Sequence, residues 1–469
     1  MELLKIVLCS LCFGFVWCAS ESYTAAVVDI AKGDLISSNK YAALIREAAQ
    51  SKVDLLVLPT PKDVSSNGTL ESCVNGLENY DEVVKSISAA AKHAQMYVVA
   101  PLYEKISCQN KEELVTSTLV FDRNGAVISV HRKPVNGLTK CNTTTSRLGR
   151  FVTDFGLTFG VIVEEDLVLT KAQEIDGIKN FVVTDNVLSR RPFLFAKQFP
   201  SSWAFANNVN VVSASGVISS RDVPDRTSTL IVATLGRNGI GEPTLIATPP
   251  ASFPSDELSQ YASRPLNVEA SARGISDSVC HGTFCCQFYV KTSVIGSNPQ
   301  DVTYSLVAFE GIHQTGSSNI GVQTCSIVAC AGLDKRACFI ASENNTTNIK
   351  FNEISIDANF SKENTAQFPT ISTTSQTVFN KENLTFTIEN KDYKHVTTKI
   401  YNTENILTFG IIGRDYSKDF ENNDSNKESL ILDVSEYISY ENVQEFFDYV
   451  WIRLRVVIFI VSVYILEMM

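Results

Sequence analysis

The first half of the chain alternates short apolar runs with segments whose apolar residues recur at helical spacing. That spacing predicts helices over 41–51, 82–94 and about 192–206. The apolar runs predict buried strands over 23–30, 54–59, 96–101, 181–184 and 209–214. The turn residues Asp122 to Gly125 predict a hairpin between 114–121 and 126–130. Strands and helices that alternate in this way indicate a layered α/β domain.

One predicted strand stops abruptly at three acidic residues. The apolar run from Phe159 to Val163 fits a fully buried strand, and Glu164, Glu165 and Asp166 follow it directly. We expect Glu164 to open the turn after this strand. Carboxylates at the end of a buried strand are candidate functional groups.

The pattern changes near residue 265, where helical periodicity fades and β-branched and aromatic segments take over. Strands are predicted over 287–295, 302–309, 350–356, 384–388 and 406–412. We therefore expect an α/β domain over 21–265 and a β-rich, disulfide-stapled domain over 266–420. The polar residues 415–428 are expected to form a loop or linker, and 421–469 is expected to hold a polar linker and an apolar tail.

The N-terminus has the character of a secretory signal over 1–20, with Lys5, an apolar run from Ile6 to Trp17, and small residues near position 20. Nine of the twelve cysteines remain after its removal, and in an oxidising compartment disulfides are favoured over a zinc site that would include His281. The disulfide candidates are Cys73, Cys108, Cys141, Cys280, Cys285, Cys286, Cys325, Cys330 and Cys338. Because nine is odd, at least one thiol should be free or bonded to another chain.

Asn-x-Ser/Thr sequons also indicate a secreted glycoprotein. They lie at Asn67, Asn142, Asn344, Asn345, Asn359, Asn383 and Asn423. The apolar run from Val456 to Leu466 is too short to span a membrane. It fits either the tail of a GPI-anchor signal or an amphipathic terminal helix. The chain is therefore expected outside the cell, either secreted or held at the plasma membrane by such an anchor.

Charge and motifs limit the function classes. The net charge of −11 and the pI near 5.1 argue against a nucleic-acid partner. No Gly-rich phosphate loop is present in the sequence, and we expect neither a cofactor nor a metal. The expected partner is an unidentified small molecule or protein, with membrane contact only through the candidate anchor.

The strand that ends at Glu164, Glu165 and Asp166 resembles a strand of the vanin and biotinidase branch of the nitrilase, or carbon–nitrogen hydrolase, superfamily. Outside the acidic strand, the resemblance rests on segments of the second half: Val279–Cys286, Ala308–His313, Cys325–Cys330 and Gly410–Phe420. It implies an α-β-β-α sandwich followed by a β-rich domain. It also implies amide hydrolysis on substrates of the pantetheine or biotin type.

The family's chemistry uses a cysteine nucleophile, a glutamate base and a lysine that stabilises the oxyanion. Lys133, which follows the hairpin, matches the lysine. The resemblance places Thr60 at the glutamate position and Glu164 at the cysteine position. Thr60 has no useful basicity near neutral pH, and Asp63 is separated from it by a proline. Two of the three roles are therefore predicted to be lost.

A buried lysine without a counter-ion is costly, so a facing carboxylate would stabilise it. We therefore hypothesise an ion pair between Lys133 and Glu164 that closes the former pocket. Three functions remain open. The first is a secreted pseudoenzyme that binds or regulates. The second is an active hydrolase with a rearranged site built from Lys133, Glu164 and Asp166. The third is a purely structural extracellular protein.

Overall fold

A computed structural model describes most of the chain from residue 21 to residue 421. The described residues are 21–29, 36–61, 65–66, 81–108, 111–134, 146–184, 198–219, 224–227, 229–239, 245–247, 259–295, 302–315, 318–330, 338 and 348–421. The predicted signal segment and the C-terminal tail lie outside these residues. So do Asp63, Cys73, Cys141 and the sequons at Asn67, Asn142, Asn344, Asn345 and Asn423.

The first part of the chain alternates strands and helices as predicted. In chain order its elements are β1 (Ser22–Val28), α1 (Tyr41–Gln50), β2 (Leu55–Val57), β3 (Ser65–Ser66), α2 (Glu82–Ala94), β4 (Tyr97–Cys108), β5 (Lys111–Phe121), β6 (Val127–Pro134), β7 (Gly149–Val152), β8 (Thr158–Val163), α3 (Glu164–Leu167), β9 (Asn180–Thr184), α4 (Phe199–Asn207), β10 (Asn210–Ser213), β11 (Val217–Ser219), β12 (Asp225–Arg226), β13 (Leu230–Gly236) and β14 (Leu245–Ala247). Short 3-10 helices cover Ser38–Lys40 and Ala172–Ile175.

The second part consists almost entirely of strands. Its elements are β15 (Ala262–Pro265), α5 (Val268–Ser271), β16 (Ile275–His281), β17 (Phe284–Val294), β18 (Thr303–Thr315), β19 (Ser318–Cys330), β20 (Ile349–Phe360), β21 (Thr365–Thr373), β22 (Thr377–Phe379), β23 (Leu384–Asn390), β24 (Lys394–Glu404) and β25 (Ile406–Glu421).

Two sheets pack face to face in the first part. One runs in the order β12-β13-β1-β2-β4-β5-β6, with β3 beside β4, and the other runs β11-β10-β9-β8-β7. Alternate side chains of both sheets meet in one apolar layer, as Val99, Val120 and Val161 do. The opposite faces carry helices: α1 and α2 cover the first sheet, and α4 covers the second through Phe199 and Trp203. This arrangement confirms the predicted α-β-β-α sandwich.

The second part is a sandwich of two five-stranded sheets, β15-β18-β19-β25-β21 and β16-β17-β20-β24-β23. Phe288, Ile327 and Ile400 lie in its core. The outer face of the first of these sheets packs against α4, where the Phe199 and Phe368 ring centroids lie 5.3 Å apart. The β-rich prediction is confirmed. The domain boundary near residue 265 stays a prediction.

Disulfides join the cysteines of the second part. The pairs are Cys280–Cys285, Cys286–Cys325 and Cys330–Cys338. His281 Nδ1 accepts a hydrogen bond from the Glu310 backbone N–H at 3.2 Å. The prediction of disulfides is confirmed for these six cysteines. The side chain of Cys108 lies outside the described residues.

One local prediction is wrong. Residues 415–421 are not a loop, because β25 continues to Glu421 and Asp415 pairs with both Gly321 and Thr365.

Candidate functional site at the strand ends

Parallel strands bring the sequence-predicted site residues to one end of the sandwich. Strand β2 runs parallel to β4, and β6 points the same way because β5 is antiparallel to both neighbours. In the second sheet, Val163 at the end of β8 pairs with Thr184. The Thr184 hydroxyl oxygen accepts a hydrogen bond of 3.3 Å from Thr118 across the sheets. The ends of β6 and β8 therefore face the same inter-sheet edge.

Lys133 lies near the end of β6 and points toward the second sheet. Its Nζ lies 2.5 Å from Oδ2 of Asp166, and the lysine side chain keeps 23% of its surface exposed while the aspartate keeps 6%. The carboxylate in close contact with Lys133 is thus Asp166. The expectation of a carboxylate facing this lysine is met by Asp166, and the hypothesised contact with Glu164 stays a prediction.

Glu164 is the first residue of α3 and not the opening of an irregular turn. It is 3% exposed, and Glu165 and Asp166 complete an acidic first turn. Unpaired backbone N–H groups at a helix start favour negative side chains, which explains why three acids are tolerated here. Its equivalence to the family's cysteine stays a prediction.

Thr60 follows the end of β2 and is also buried. The preceding residue is fixed by Tyr41, whose hydroxyl donates to the Pro59 carbonyl at 2.6 Å. A threonine hydroxyl cannot act as a base near neutral pH. The structure thus holds Thr60 in a well-packed position after β2, and its equivalence to the family's glutamate stays a prediction.

His131 is a buried neighbour of Lys133 that was not predicted from the sequence. It lies two residues before Lys133, so both side chains point to the same side of β6. Its Nε2–H donates to the Ser146 carbonyl at 2.8 Å. Burial, reinforced by the positive charge of Lys133, lowers the pKa of His131 despite the opposing influence of Asp166. The ring is therefore neutral at physiological pH. The sequence signal for His131 was its position two residues before Lys133, because residues two apart on a strand share a face.

Asp166 joins the strand end to the surrounding chain. Its backbone carbonyl accepts from the Thr170 hydroxyl at 2.8 Å, and Arg147 Nε lies 4.0 Å from its Oδ1. Its carboxylate therefore lies between a lysine at 2.5 Å and a more distant arginine.

The second sandwich holds the segment that follows α3. Arg414, fully buried on β25, donates from Nε to the Val168 carbonyl at 2.8 Å and from Nη1 to the Gly321 carbonyl. Tyr416 donates from its hydroxyl to the Thr170 carbonyl at 3.1 Å. The position of the acidic helical turn therefore depends on both parts of the chain.

Two of the predicted glycosylation residues, Asn359 and Asn383, lie within the described part of the chain. Asn359 is exposed on β20, where its Oδ1 lies 2.8 Å from His395 Nδ1, and Asn383 is half-buried before β23. Within the described residues, no group of three or more histidine, cysteine or acidic side chains could hold a metal ion. None of the helices in the described part of the chain combines the length and apolar character needed to cross a bilayer.

This sandwich, with a lysine and carboxylates at its strand ends, defines a carbon–nitrogen hydrolase scaffold. The carbon–nitrogen hydrolase family model matches residues 38–149, and the vanin C-terminal domain model matches residues 251–419. The chain is thus similar to carbon–nitrogen hydrolases in its first part and to vanins in its second part.

Relatives match over most of their length. Vanin-like protein 2 of Drosophila melanogaster is 26% identical over 382 residues, which is 66% of this chain and 72% of that protein. Pantetheinase of Mus musculus is 24% identical over 388 residues, 73% of this chain and 72% of that protein. Among solved structures, Nit3 of Saccharomyces cerevisiae is 17% identical, with a TM-score of 0.34 over 47% of this chain and 93% of that one.

Proposed function

We propose that this chain is a secreted, glycosylated vanin-like protein that lacks amidase turnover and acts by binding or regulation. The observation that carries the proposal is Glu164, a buried carboxylate directly after β8, where the family resemblance expects the nucleophilic thiol. The sequence has no cysteine between Cys141 and Cys280 that could take its place.

The chemistry supports loss of turnover. A carboxylate that attacks an amide must expel an amine and form an anhydride, a far less favourable step than thioester formation. Thr60 supplies no base for that step. In a serine protease, loss of the nucleophile alone lowers turnover on the order of a million-fold. The absence of two groups is therefore expected to leave no measurable activity.

The extracellular location is part of the proposal. The signal-like N-terminus, the sequons and the three disulfides each fit an oxidising compartment. The candidate C-terminal anchor lies outside the described residues. The proposed partner of this protein is an unidentified small molecule or protein.

A second candidate is supported by the contact between Lys133 and Asp166 beside the buried Glu164. These three ionisable groups lie at one end of the sandwich and could act as an acid–base site on another substrate. This reading predicts that Glu164→Gln abolishes turnover of some substrate, whereas the pseudoenzyme reading predicts no turnover to abolish.

The test is an amide-cleavage assay on the purified, glycosylated protein with a pantetheine amide reporter. Mouse pantetheinase serves as the positive control. We expect no amine release above the protein-free blank. Turnover that disappears in Lys133→Ala would overturn the proposal, because it would show a working family site that uses this lysine.

A further inference from the structure

A cavity of about 320 Å³ lies beside the candidate site, between the segment after α3 and the ends of β19 and β25. This volume is at the lower end of the range for small-molecule sites. We call it the Arg147–Lys171 pocket, and its lining includes Arg147, Leu169, Lys171, Glu174, Tyr416 and Phe420. None of these residues belongs to the predicted catalytic set.

The cations of the pocket lining outnumber its uncompensated acidic groups. Asp419 accepts from Arg414 Nη2 with both carboxylate oxygens, at 2.7 and 2.9 Å, and from the Gly321 N–H at 3.0 Å. Glu174 lies 3.9 Å from Arg147, at the outer limit of an ion pair. Asp419 is therefore compensated by Arg414, and the single charge of Glu174 is outweighed by the two lining cations Arg147 and Lys171.

The basic groups, in contrast, have unused capacity. Among the residues that the structure describes, no carboxylate lies within 4 Å of Lys171 Nζ, which instead lies 5.4 Å from the centre of the Tyr416 ring. Arg147 donates from Nη1 to the Leu169 carbonyl at 3.2 Å, but it reaches its two carboxylates only at 3.9 and 4.0 Å, in contrast to the 2.5 Å contact of Lys133. An incoming anion could therefore approach both cations.

The remaining wall is apolar. The hydroxyl of Tyr416 is bound to the Thr170 carbonyl, so its ring forms the exposed surface of that side chain. Burial raises the pKa of Tyr416 to about 12, and the phenol therefore adds no negative charge at physiological pH. Leu169 and the 55% exposed Phe420 extend the same wall.

We propose that the Arg147–Lys171 pocket binds a small organic carboxylate. Its head group pairs with Lys171 and Arg147, and its apolar body covers Leu169, Tyr416 and Phe420. An amine would be repelled by two cations, and an inorganic anion would leave the apolar wall in water. The pocket would bind its ligand whether or not the strand-end site turns over amides.

The test uses calorimetric titration of the whole protein with 3-phenylpropionate. The matched probes are 3-phenylpropanol and 3-phenylpropylamine, which keep the ring and change only the head group. We expect saturable binding of the carboxylate and affinities at least about tenfold weaker for the alcohol and amine, as for one charge-assisted contact. Carboxylate binding should weaken as salt is raised.

Variants locate the site. Lys171→Met should weaken 3-phenylpropionate binding by about tenfold or more, and Phe420→Ala by a few-fold. Lys179→Met, which removes an exposed lysine outside the pocket, should leave it unchanged. Unchanged melting temperatures would show that each variant is folded. Absence of carboxylate binding, equal binding of the alcohol, or undiminished binding by Lys171→Met would overturn the proposal.

Discussion

Arg132 and Lys133 are neighbours on β6, and both pair with buried carboxylates, but on opposite sides of the sheet. Arg132 faces the helix layer, where its Nε donates to Glu104 at 2.8 Å and Ser117 donates to the same carboxylate oxygen at 2.5 Å. Lys133 faces the second sheet and meets Asp166 from a partly exposed position.

The difference separates a structural ion pair from one at an accessible site. Glu104 lies within one sheet, fixed by partners on β5 and β6. Asp166 is carried by a short helix of the other sheet, which the second sandwich holds through Arg414. Adjacent residues of one strand thus contribute to the stability of a sheet and to the candidate site.

The largest effect on the free energy of unfolding is expected for the Arg132–Glu104 pair, on the side of β6 that faces the helices. Glu104→Ala should lower the free energy of unfolding by about 3–5 kcal/mol, because Arg132 and Ser117 lose a buried carboxylate. Urea unfolding followed by circular dichroism measures this. Lys85→Ala, which breaks the exposed Lys85–Glu82 pair, should cost less than about 1 kcal/mol. Similar losses in the two variants would contradict the structural assignment.

A smaller effect is expected at the site. Lys133→Met should cost about 1–3 kcal/mol, since Asp166 loses its close cation while solvent reaches the partly exposed lysine position. A double-mutant cycle with Asp166→Asn should give a coupling free energy of about 0.5–3 kcal/mol. A coupling near zero would mean that the contact contributes nothing to stability.

The smallest effect is expected in the pH dependence of the unfolding free energy, through His131. Because burial lowers the pKa of His131 in the folded protein, the unfolded chain binds more protons below its ordinary value of about 6.5. The stability that neutral His131 contributes is complete above about pH 6.5 and falls as the pH drops toward the lowered value, by at most about 1.4 kcal/mol per pH unit.

His131→Gln should therefore flatten the loss of stability between about pH 6.5 and 5 relative to the unsubstituted protein. Unfolding free energies measured across this range provide the comparison. His93→Gln, at an exposed histidine, should retain the original slope. An unchanged slope in His131→Gln would show that the ring is not held neutral by the fold.

Local chemistry was sufficient to predict several elements. The hairpin between β5 and β6 follows from Asp122, whose Oδ1 accepts from the N–H groups of Asn124 and Ala126, and from Gly125 at φ 78°. Only glycine adopts such a backbone conformation readily. These contacts lie within five residues, so sequence alone specifies them.

Longer-range pairing overrode the local signals elsewhere. The polar stretch that begins at Asp415 resembles a linker, yet it continues β25, because Asp415 pairs with both β19 and β21 and Phe420 and Glu421 pair with β19.

The sequence by itself determined that a buried strand ends in acids and that a lysine lies shortly after the hairpin turn. Only the tertiary structure decided which acid meets the lysine. In a helix, successive side chains are about 100° apart, so Glu164 and Asp166 point in very different directions. Because the chain enters α3 at Glu164 and Arg414 holds the residues that follow, Asp166 faces Lys133. That choice depends on contacts between residues 246 positions apart.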